Sequence, residues 1–442
     1  MRKLIGIILA VLMLFSMIGC TTAPSAQEDA PKTNSEQTAT AEKTATDEEK
    51  VIRVACESWH VTKVFLEHAA ESFEANHPGV KVELQTYADQ TVISNYAINW
   101  AAGETPVDMV IIDGTEFVQQ FLAKDLVYDW ENELNLYNYI NEDAFVPSAV
   151  EAGRINGTLY CLPIMQEIDV ININKKMFKE AGLVDENGEV LIPKTWEEFH
   201  EYAQKMTVVD KNGVVQQQGA VIQWNDDLPA TVMGTLCALN GRLVKEDGIT
   251  IDFDNENFRN TLEIWKEGVK DGSFSIDTFA DTEAGRNGFK AGTVGMLIES
   301  SGRWVEGGNE FGMENVTVAP LPGNYDSTYG YINGIFMPKC AENVELCLQF
   351  ITEEILGEYC QMNEMEQYGK LPSITEYYEK ATDTRWLNIL DSFTNAQAQP
   401  KYKDAGKLND EMRSIVQEAL ISDEPASVAT KALQDLVDGL DK

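Results

Sequence analysis

Acidic, amide and aromatic side chains recur directly after the predicted β-strands of this 442-residue chain. The carboxyl ends of parallel strands meet along one edge of a sheet, and open α/β sheets bind their ligands there. We therefore expect these side chains to share one site. The candidates are Glu57, Trp59, Asp89, Asp113, Glu167, Trp224, Arg303, Trp304, Tyr331 and Asn333.

These candidates combine flat rings with charged and amide groups, which is the mixture that a sugar requires. Rings pack on the apolar C–H face of a sugar, and charged groups form hydrogen bonds with its hydroxyls. Trp304 is the first candidate, and Asp113, which follows a buried strand, is the second. Structural roles stay open for several of them. Trp59 and Trp224 would serve equally well at the edge of a core, and Asp113 would also suit a helix cap.

The sequence lacks the common motifs of nucleophilic and metal-dependent catalysis. It holds no Gly-x-Ser-x-Gly, no Ser-x-x-Lys, no His-Glu-x-x-His and no Cys-x-x-Cys. The acidic run at 252–257 has no glycine where a calcium loop turns sharply, so it predicts the start of a helix. We therefore expect a protein that is not an enzyme and that has no metal or cofactor. A glycoside hydrolase with two carboxylates stays open as a less favoured alternative.

Alternating strand and helix patterns predict an α/β fold. Three apolar, β-branched runs between residues 51 and 113 predict strands, and helical patterns separate them. This rhythm indicates a parallel sheet. Two more strands are predicted around Pro163, and a capping box of Thr195 and Glu198 begins a later helix. The roughly 390 residues after position 50 suffice for two lobes and are too many for one core.

Several segments, taken in order, resemble the extracellular solute-binding proteins of ABC importers, in the carbohydrate-binding group that includes maltose-binding protein. The segments are "FEANHPGVKVEL", "AAGETPVDMVIID", "GRINGTLYCLPIMQEIDVININKKMFKEAGL", "PKTWEEFHEYAQKM", "GFKAGTVGMLIESSGRW", "APLPG" and "GKLPSI". They span most of residues 51–375. Trp304 occupies the Gly-x-Trp position of that family, which adds to its weight as a candidate.

The resemblance implies a two-lobed, periplasmic-binding-protein-like α/β fold with hinge strands and a ligand cleft between the lobes. One lobe would hold residues 51–163 and 334–385, and the other would hold 164–333 and 386–442. Proteins of this kind bind a solute without catalysis, close around it by hinge motion and present it to the permease of an ABC transporter. The resemblance therefore implies a monomer that binds a carbohydrate, with an oligosaccharide expected. A polyamine, a peptide or a polyol remains the alternative ligand.

The N-terminal segment is typical of an export signal that ends at a lipid-modified cysteine. Two basic residues precede about fifteen apolar ones, which is fewer than the roughly twenty of a membrane-spanning helix. Gly19 and Cys20 resemble the lipobox of bacterial lipoproteins, with Met17 where leucine is usual. This implies a signal peptide over 1–20, acylation of Cys20, palmitate included, and a disordered tether over 21–50. The folded part would then sit on the extracellular face of the cell membrane, or on the periplasmic side if there is an outer membrane. An ordinary cleaved signal is the alternative.

The chain is strongly acidic, with 72 Asp and Glu against 34 Lys and Arg and a formal net charge of −38. This excess argues against a nucleic-acid partner and against electrostatic adhesion to a membrane. Besides Cys20, six cysteines at irregular spacing predict structural free thiols, and one or two disulfides are left open.

Overall fold

The computed structural model describes residues 49–88 and 90–440, and the side chain of Glu116 is not described. The predicted signal peptide, Cys20, the tether up to residue 48 and Asp89 therefore lie outside the described residues. Within the two described ranges, no helix has the length and hydropathy of a bilayer span.

Twelve strands lie in the described part of the chain. They are β1 (Lys50–Glu57), β2 (Val80–Tyr87), β3 (Met109–Asp113), β4 (Arg154–Ile155), β5 (Thr158–Leu159), β6 (Leu162–Asn174), β7 (Val208–Val209), β8 (Val215–Ile222), β9 (Val294–Ser300), β10 (Val316–Ala319), β11 (Gly330–Phe336) and β12 (Leu371–Pro372). Ten of them form one sheet in the order β2-β1-β3-β11-β6-β9-β8-β7, with β10 and β12 also paired to β6. Strands β4 and β5 pair separately.

The sheet has two parallel wings and an antiparallel middle. Strands β2, β1 and β3 run parallel, as the sequence predicted. Strands β8 and β9 also run parallel, and β7 adds an antiparallel edge to β8. The middle strands β11 and β6 run antiparallel to their neighbours. The prediction of a parallel sheet is therefore right for the wings and incomplete for the strands that connect them.

Strand β6 runs for 13 residues, is buried along its whole length and joins the two wings. Its first part pairs with β11, and the part from Asp169 to Ile173 pairs with β9. The sequence predicted two separate strands around Pro163, but the structure has one strand that contains it. Pro163 is tolerated because the register with β11 shifts there, between Asn333 and Gly334, and such an irregularity suits a residue without an N–H donor.

Seventeen α-helices in the described part of the chain pack around this sheet, in addition to short 3-10 and π-helical segments. They are α1 (Ser58–Lys63), α2 (Leu66–Asn76), α3 (Tyr96–Ala101), α4 (Glu116–Leu122), α5 (Pro147–Gly153), α6 (Lys175–Glu180), α7 (Trp196–Met206), α8 (Leu228–Asn240), α9 (Glu256–Asp271), α10 (Thr282–Lys290), α11 (Arg303–Phe311), α12 (Val344–Phe350), α13 (Glu358–Tyr368), α14 (Glu376–Lys380), α15 (Leu390–Thr394), α16 (Ala405–Ile421) and α17 (Ala426–Asp438).

Helix α7 begins where the capping pattern predicted, with one difference. Thr195 Oγ1 accepts a hydrogen bond from the backbone N–H of Glu198 at 3.2 Å, as expected. The Glu198 carboxylate accepts from the backbone N–H of Lys194 at 2.7 Å, where the prediction had Thr195 as its donor. The acidic run at 252–257 is the start of α9, which the Asn255 side chain caps.

Large aromatic side chains fill the cores on both sides of the sheet. Trp100, Trp130, Trp196 and Trp265 are all buried. The rings of Trp196 and Trp265 meet edge to face with their centroids 5.1 Å apart. The six cysteines of the described residues are free thiols, and five of them are buried.

Gly219 in β8 allows the strand to lie directly against α7. A methyl group on it would sit 1.8 Å from the carbonyl oxygen of Ala203. We predict that Gly219→Ala lowers the free energy of unfolding by about 1–3 kcal/mol or more, because backbone cannot yield as a side chain can. Chemical denaturation measures this.

Gly406 provides the matched control, since an added methyl there would have no neighbour within 4 Å. Gly406→Ala should be neutral or stabilising by up to about 1 kcal/mol. Equal stability of the two variants would show that β8 and α7 are not in close contact.

Candidate functional site

A cavity of about 420 Å³ opens at the edge where the strands end. Trp59 follows β1, Asp113 ends β3 and Ser300 ends β9, while Glu167 and Tyr331 come from the middle strands β6 and β11. The cavity therefore lies at the edge of the sheet from which the candidate residues were chosen.

The cavity wall is strongly charged but nearly balanced. Among the described residues, six acidic and five basic side chains line it beside the rings of Trp59 and Tyr331. The acidic residues are Asp113, Glu167, Asp227, Glu283, Glu299 and Glu306, and the basic ones are Lys63, Arg286, Lys290, Arg303 and Lys370. Such a wall offers many hydrogen-bond donors and acceptors whose positions the ion pairs between them fix.

Glu167 is a buried carboxylate at the centre of this wall, with only 5% of its surface exposed. It forms an ion pair with Lys370, and Asn333 Nδ2 donates to its Oε1 at 3.3 Å. The Tyr331 hydroxyl lies 3.5 Å from its Oε2. Burial alone would raise the pKa of Glu167, but the nearby Lys370 ammonium outweighs it and holds this pKa below its usual value. Glu167 is therefore ionised at neutral pH.

His60 fixes the orientation of Asn333 behind the wall. Its Nδ1 accepts from the backbone N–H of Glu57 at 3.2 Å, so its proton is on Nε2, which donates to Asn333 Oδ1 at 3.0 Å. Asn333 must then present its amide nitrogen to Glu167. Burial lowers the pKa of His60 to about 4, so the ring is neutral at neutral pH.

Glu299 anchors the opposite wall and is 1% exposed. Arg286 Nε donates to its Oε1 at 2.8 Å, and Gln223 Nε2 donates to its Oε2 at 2.7 Å. Arg303 also pairs with the same carboxylate. Arg286 continues to Asp227, with its Nη2 3.1 Å from Oδ2.

A second ion pair links α1 with α11 across the mouth of the cavity. Lys63 Nζ donates to Glu306 Oε1 at 2.9 Å, and Arg303 Nη1 donates to Glu306 Oε2 at 2.8 Å. Burial would raise the pKa of Glu306, but Arg303 and Lys63 lower it to about 2. The two cations therefore hold this carboxylate charged.

Trp304, the first candidate from the sequence, does not face the cavity, and that prediction is wrong. Its side chain is 1% exposed and meets the ring of Trp386 at a centroid distance of 5.0 Å. The guanidinium of Arg385 lies 4.5 Å from the centre of its ring. Arg303 and Trp304 open α11 and so point about 100° apart. With Arg303 on the cavity, Trp304 turns into the core.

Trp224 is also turned away from the cavity, contrary to the prediction. It is fully buried, and its Nε1 donates to the backbone oxygen of Ser275 at 2.8 Å. Its ring packs on Trp265 at a centroid distance of 5.4 Å. Both tryptophans thus stabilise cores, which was the structural alternative for Trp224.

Most of the other candidates lie at or next to the cavity. Those that line it are Trp59, Asp113, Glu167, Arg303 and Tyr331. Asn333 lies behind the cavity wall, against Glu167. The Glu57 carboxylate accepts a hydrogen bond from Trp59 Nε1 at 2.5 Å, which fixes the indole ring. Asp89 is not described. That any of these residues contacts a ligand stays a prediction.

The sequence analysis missed most of the charged residues of the wall. Glu299 and Ser300 lie in "LIESSG", directly before the two residues that were chosen, and Lys370 lies in "GKLPSI". Asp227 follows Asp226, which is exposed and forms a long ion pair with Arg413 at 3.7 Å. The strand-end signal thus selected loops that line the cavity, and several of the missed charged residues are neighbours of the candidates in those loops.

The described residues hold no cluster of three or more His, Cys, Asp and Glu side chains that could bind a metal ion. The ion-paired wall is suited to binding a polar solute, and five of its carboxylates form ion pairs with cations of the same wall.

The chain belongs to the family of bacterial extracellular solute-binding proteins, whose model matches residues 58–353. A binding protein of Brucella abortus is 23% identical over 299 residues, which cover 64% of this chain and 66% of that relative. The chain therefore spans just under two thirds of the length of this relative.

Solved structures confirm the two-lobed, periplasmic-binding-protein-like fold. An ABC transporter solute-binding protein of Thermotoga lettingae, bound with α-D-tagatose, has a TM-score of 0.72 at 20% identity, over 88% of this chain and 98% of that one. Maltose-bound MalE3 of T. maritima has a TM-score of 0.71 at 19% identity, over 88% and 99%. The residue boundaries of the two lobes stay a prediction.

His60 should make the stability of the protein depend on pH. An unfolded histidine binds a proton near pH 6.5, but folded His60 does so only near pH 4. The unfolded state therefore binds more protons between these values, and the free energy of unfolding should fall by up to about 3 kcal/mol as pH drops from 6.5 to 4. Denaturation at a series of pH values measures this slope.

His60→Gln should flatten that slope, because no imidazole then titrates in the core. His68→Gln, in α2, is the control and should leave the slope of the wild type unchanged. A wild-type slope retained in His60→Gln would contradict the burial of a neutral His60.

Proposed function

We propose that this chain is a membrane-anchored extracellular lipoprotein that captures a carbohydrate by hinge closure and delivers it to the permease of an ABC transporter. The family membership supports solute capture. That the solute is a carbohydrate, that the chain is anchored to the membrane and that it delivers the solute to a permease are the further parts of the proposal.

The proposal that the solute is a carbohydrate rests on the Trp59 ring, which lies among charged side chains that ion pairs hold in place. Trp59 is half-buried, lines the cavity and is held by its hydrogen bond to Glu57. A ring of this kind offers a flat apolar face to a sugar, and the surrounding carboxylates and cations offer charge-assisted hydrogen bonds to its hydroxyls. The sugars bound to the Thermotoga proteins of the same fold favour the same ligand class.

The size of the cavity is compatible with an oligosaccharide. Its volume of about 420 Å³ lies within the range of roughly 300–1,000 Å³ that is usual for small-molecule sites. The maltose-bound T. maritima protein is a disaccharide complex of the same fold, which favours a ligand of more than one ring.

The proposed closure uses the strands that join the two wings of the sheet. Strands β6 and β11 run through the middle of the sheet, and Glu167 and Tyr331 on them line the cavity. In the present structure the ion pair of Lys63 with Glu306 already joins α1 with α11. Hinge motion about such strands would open this side of the cavity to admit the solute and close it again around it.

The proposed anchor rests on the sequence around Cys20. Acyl chains on this cysteine would hold the protein at the membrane, since each buried CH₂ contributes about 0.8 kcal/mol. The residues between Cys20 and β1 would then act as the tether.

Trp59→Ala tests the carbohydrate proposal. A neutral oligosaccharide at 100 times its Kd should stabilise the wild type by about 2.7 kcal/mol. Loss of the ring should weaken binding at least about tenfold, and the stabilisation at the same concentration should then fall to about 1.4 kcal/mol or less. Thermal unfolding against a panel of neutral sugars measures both.

Tyr359→Ala is the matched control. Tyr359 stacks on His68 at 3.6 Å much as Trp59 stacks on His60 at 3.9 Å, but it is 48% exposed and does not line the cavity. It should keep the full shift. Stabilisation by no carbohydrate at all, or an undiminished shift in Trp59→Ala, would refute the proposal. Release of reducing ends would favour the hydrolase alternative.

A further inference from the structure

We propose that the solute carries a protonated amine, which binds at the floor of the cavity against Asp169, Ser300 and Asp227. This inference rests on the proposed function of the same cavity as a solute-binding site. It adds the chemical class of the group that the floor recognises.

Asp169 and Ser300 form one surface on neighbouring strands. They are directly opposite each other in the antiparallel pair of β6 and β9, so their side chains share a face of the sheet. Ser300 lines the cavity, as does Asp227. Asp169 does not itself line the cavity, and its Oδ2 accepts from Thr231 Oγ1 at 2.5 Å.

Two buried polar atoms on this surface have no hydrogen-bond partner among the described residues. They are Asp169 Oδ1 and Ser300 Oγ, and the two residues are 2% and 3% exposed. A buried polar atom without a partner is unfavourable. A ligand group that donates several hydrogen bonds would satisfy both atoms together.

The charges around this floor favour a cationic donor over a hydroxyl. Four carboxyl groups, those of Asp113, Glu167, Asp169 and Asp227, interact electrostatically with the Tyr331 hydroxyl. Lys370 pairs with Glu167, and Arg286 pairs with Asp227 and also with two other carboxylates. No ion pair involves Asp169 among the described residues. A hydroxyl would supply one proton and no charge, whereas an ammonium supplies three N–H donors and a positive charge.

The pKa values of the two carboxyl groups at the floor, Asp169 and Asp227, are both raised. Burial, followed by the charge of Asp227, raises the pKa of Asp169 well above its usual value. Besides burial, the groups that most affect this pKa are Asp227, Thr231 from α8, Glu299 from β9 and Glu167 from β6, and none of these four is a cation. Burial and Glu299 also raise the pKa of Asp227 to about 6. An ammonium in the cavity would favour the ionised form of both carboxyl groups.

Matched pairs of probes test the proposal. The first pair is glucosamine oligomers and N-acetylglucosamine oligomers of the same length. The second pair is spermidine and its fully acetylated form, and neutral glucose oligomers complete the panel. Isothermal titration calorimetry should give a Kd for at least one amine that is ten or more times lower than that of its acetylated counterpart.

Asp169→Asn should remove this preference, because it keeps the shape and the bond with Thr231 but cannot become an anion. Asp226→Asn, which changes an exposed carboxylate next to Asp227, should retain it. Circular dichroism checks that each variant is folded. If Asp169→Asn does not fold, Ser300→Ala is the second variant and should reduce the preference by removing one acceptor.

The outcomes separate this inference from the proposed function. Preference for an amino sugar supports both the amine inference and the carbohydrate proposal. Binding of spermidine together with binding of no sugar supports the amine inference and refutes the carbohydrate proposal. Tight binding of glucose oligomers, with no gain in affinity from an amine, overturns the amine inference and leaves the carbohydrate proposal standing. The absence of binding by both amines, or an undiminished preference in Asp169→Asn, also overturns the inference.

Discussion

The architecture of the site depends on keeping one buried carboxylate, Glu167, ionised in the middle of β6. Removing such a charge from water costs several kcal/mol unless it is paired and hydrogen-bonded. Lys370 supplies the charge, and Asn333 and His60 supply an ordered chain of hydrogen bonds behind it. Since each partner comes from a different element, the fold of that half of the molecule must be complete before Glu167 is satisfied. The contacts that orient Glu167 are therefore supplied by the fold itself.

A wall of this kind recognises ligands by the direction of its hydrogen bonds more than by apolar surface. On the other side of the cavity, Glu299 is likewise a buried carboxylate held by cations and an amide, in its case two arginines and Gln223. Donors and acceptors whose orientations are fixed by ion pairs lose little entropy on binding a solute. The carboxyl group of Asp169 differs from these, because it has no cation of its own among the described residues. This difference is why we assign the floor of the cavity to a positively charged group.

Sequence reasoning located the edge of the sheet but not the contents of the wall. The continuous apolar run before Asp113 identified a strand buried on both faces, and the rule that ligands bind at strand ends then selected loops that line the cavity. Trp304 and Arg303 are neighbours at the first turn of α11, so the phase of that helix decides which of them meets the cavity, and no local pattern reveals the phase. Lys370 meets Glu167 only through the tertiary fold. In a chain with 72 acidic residues, the sequence offers no means of choosing the few carboxylates that are buried.

A crystal structure of the protein with a bound solute tests the central claim most directly. We expect electron density for the solute between the Trp59 ring and Ser300, with at least one of its polar atoms within hydrogen-bond distance of Glu167, Asp227 or Asp169. We also expect that Trp304 remains packed on Trp386. Density for the solute elsewhere on the molecule, with the ion-paired cavity free of it, would contradict the account.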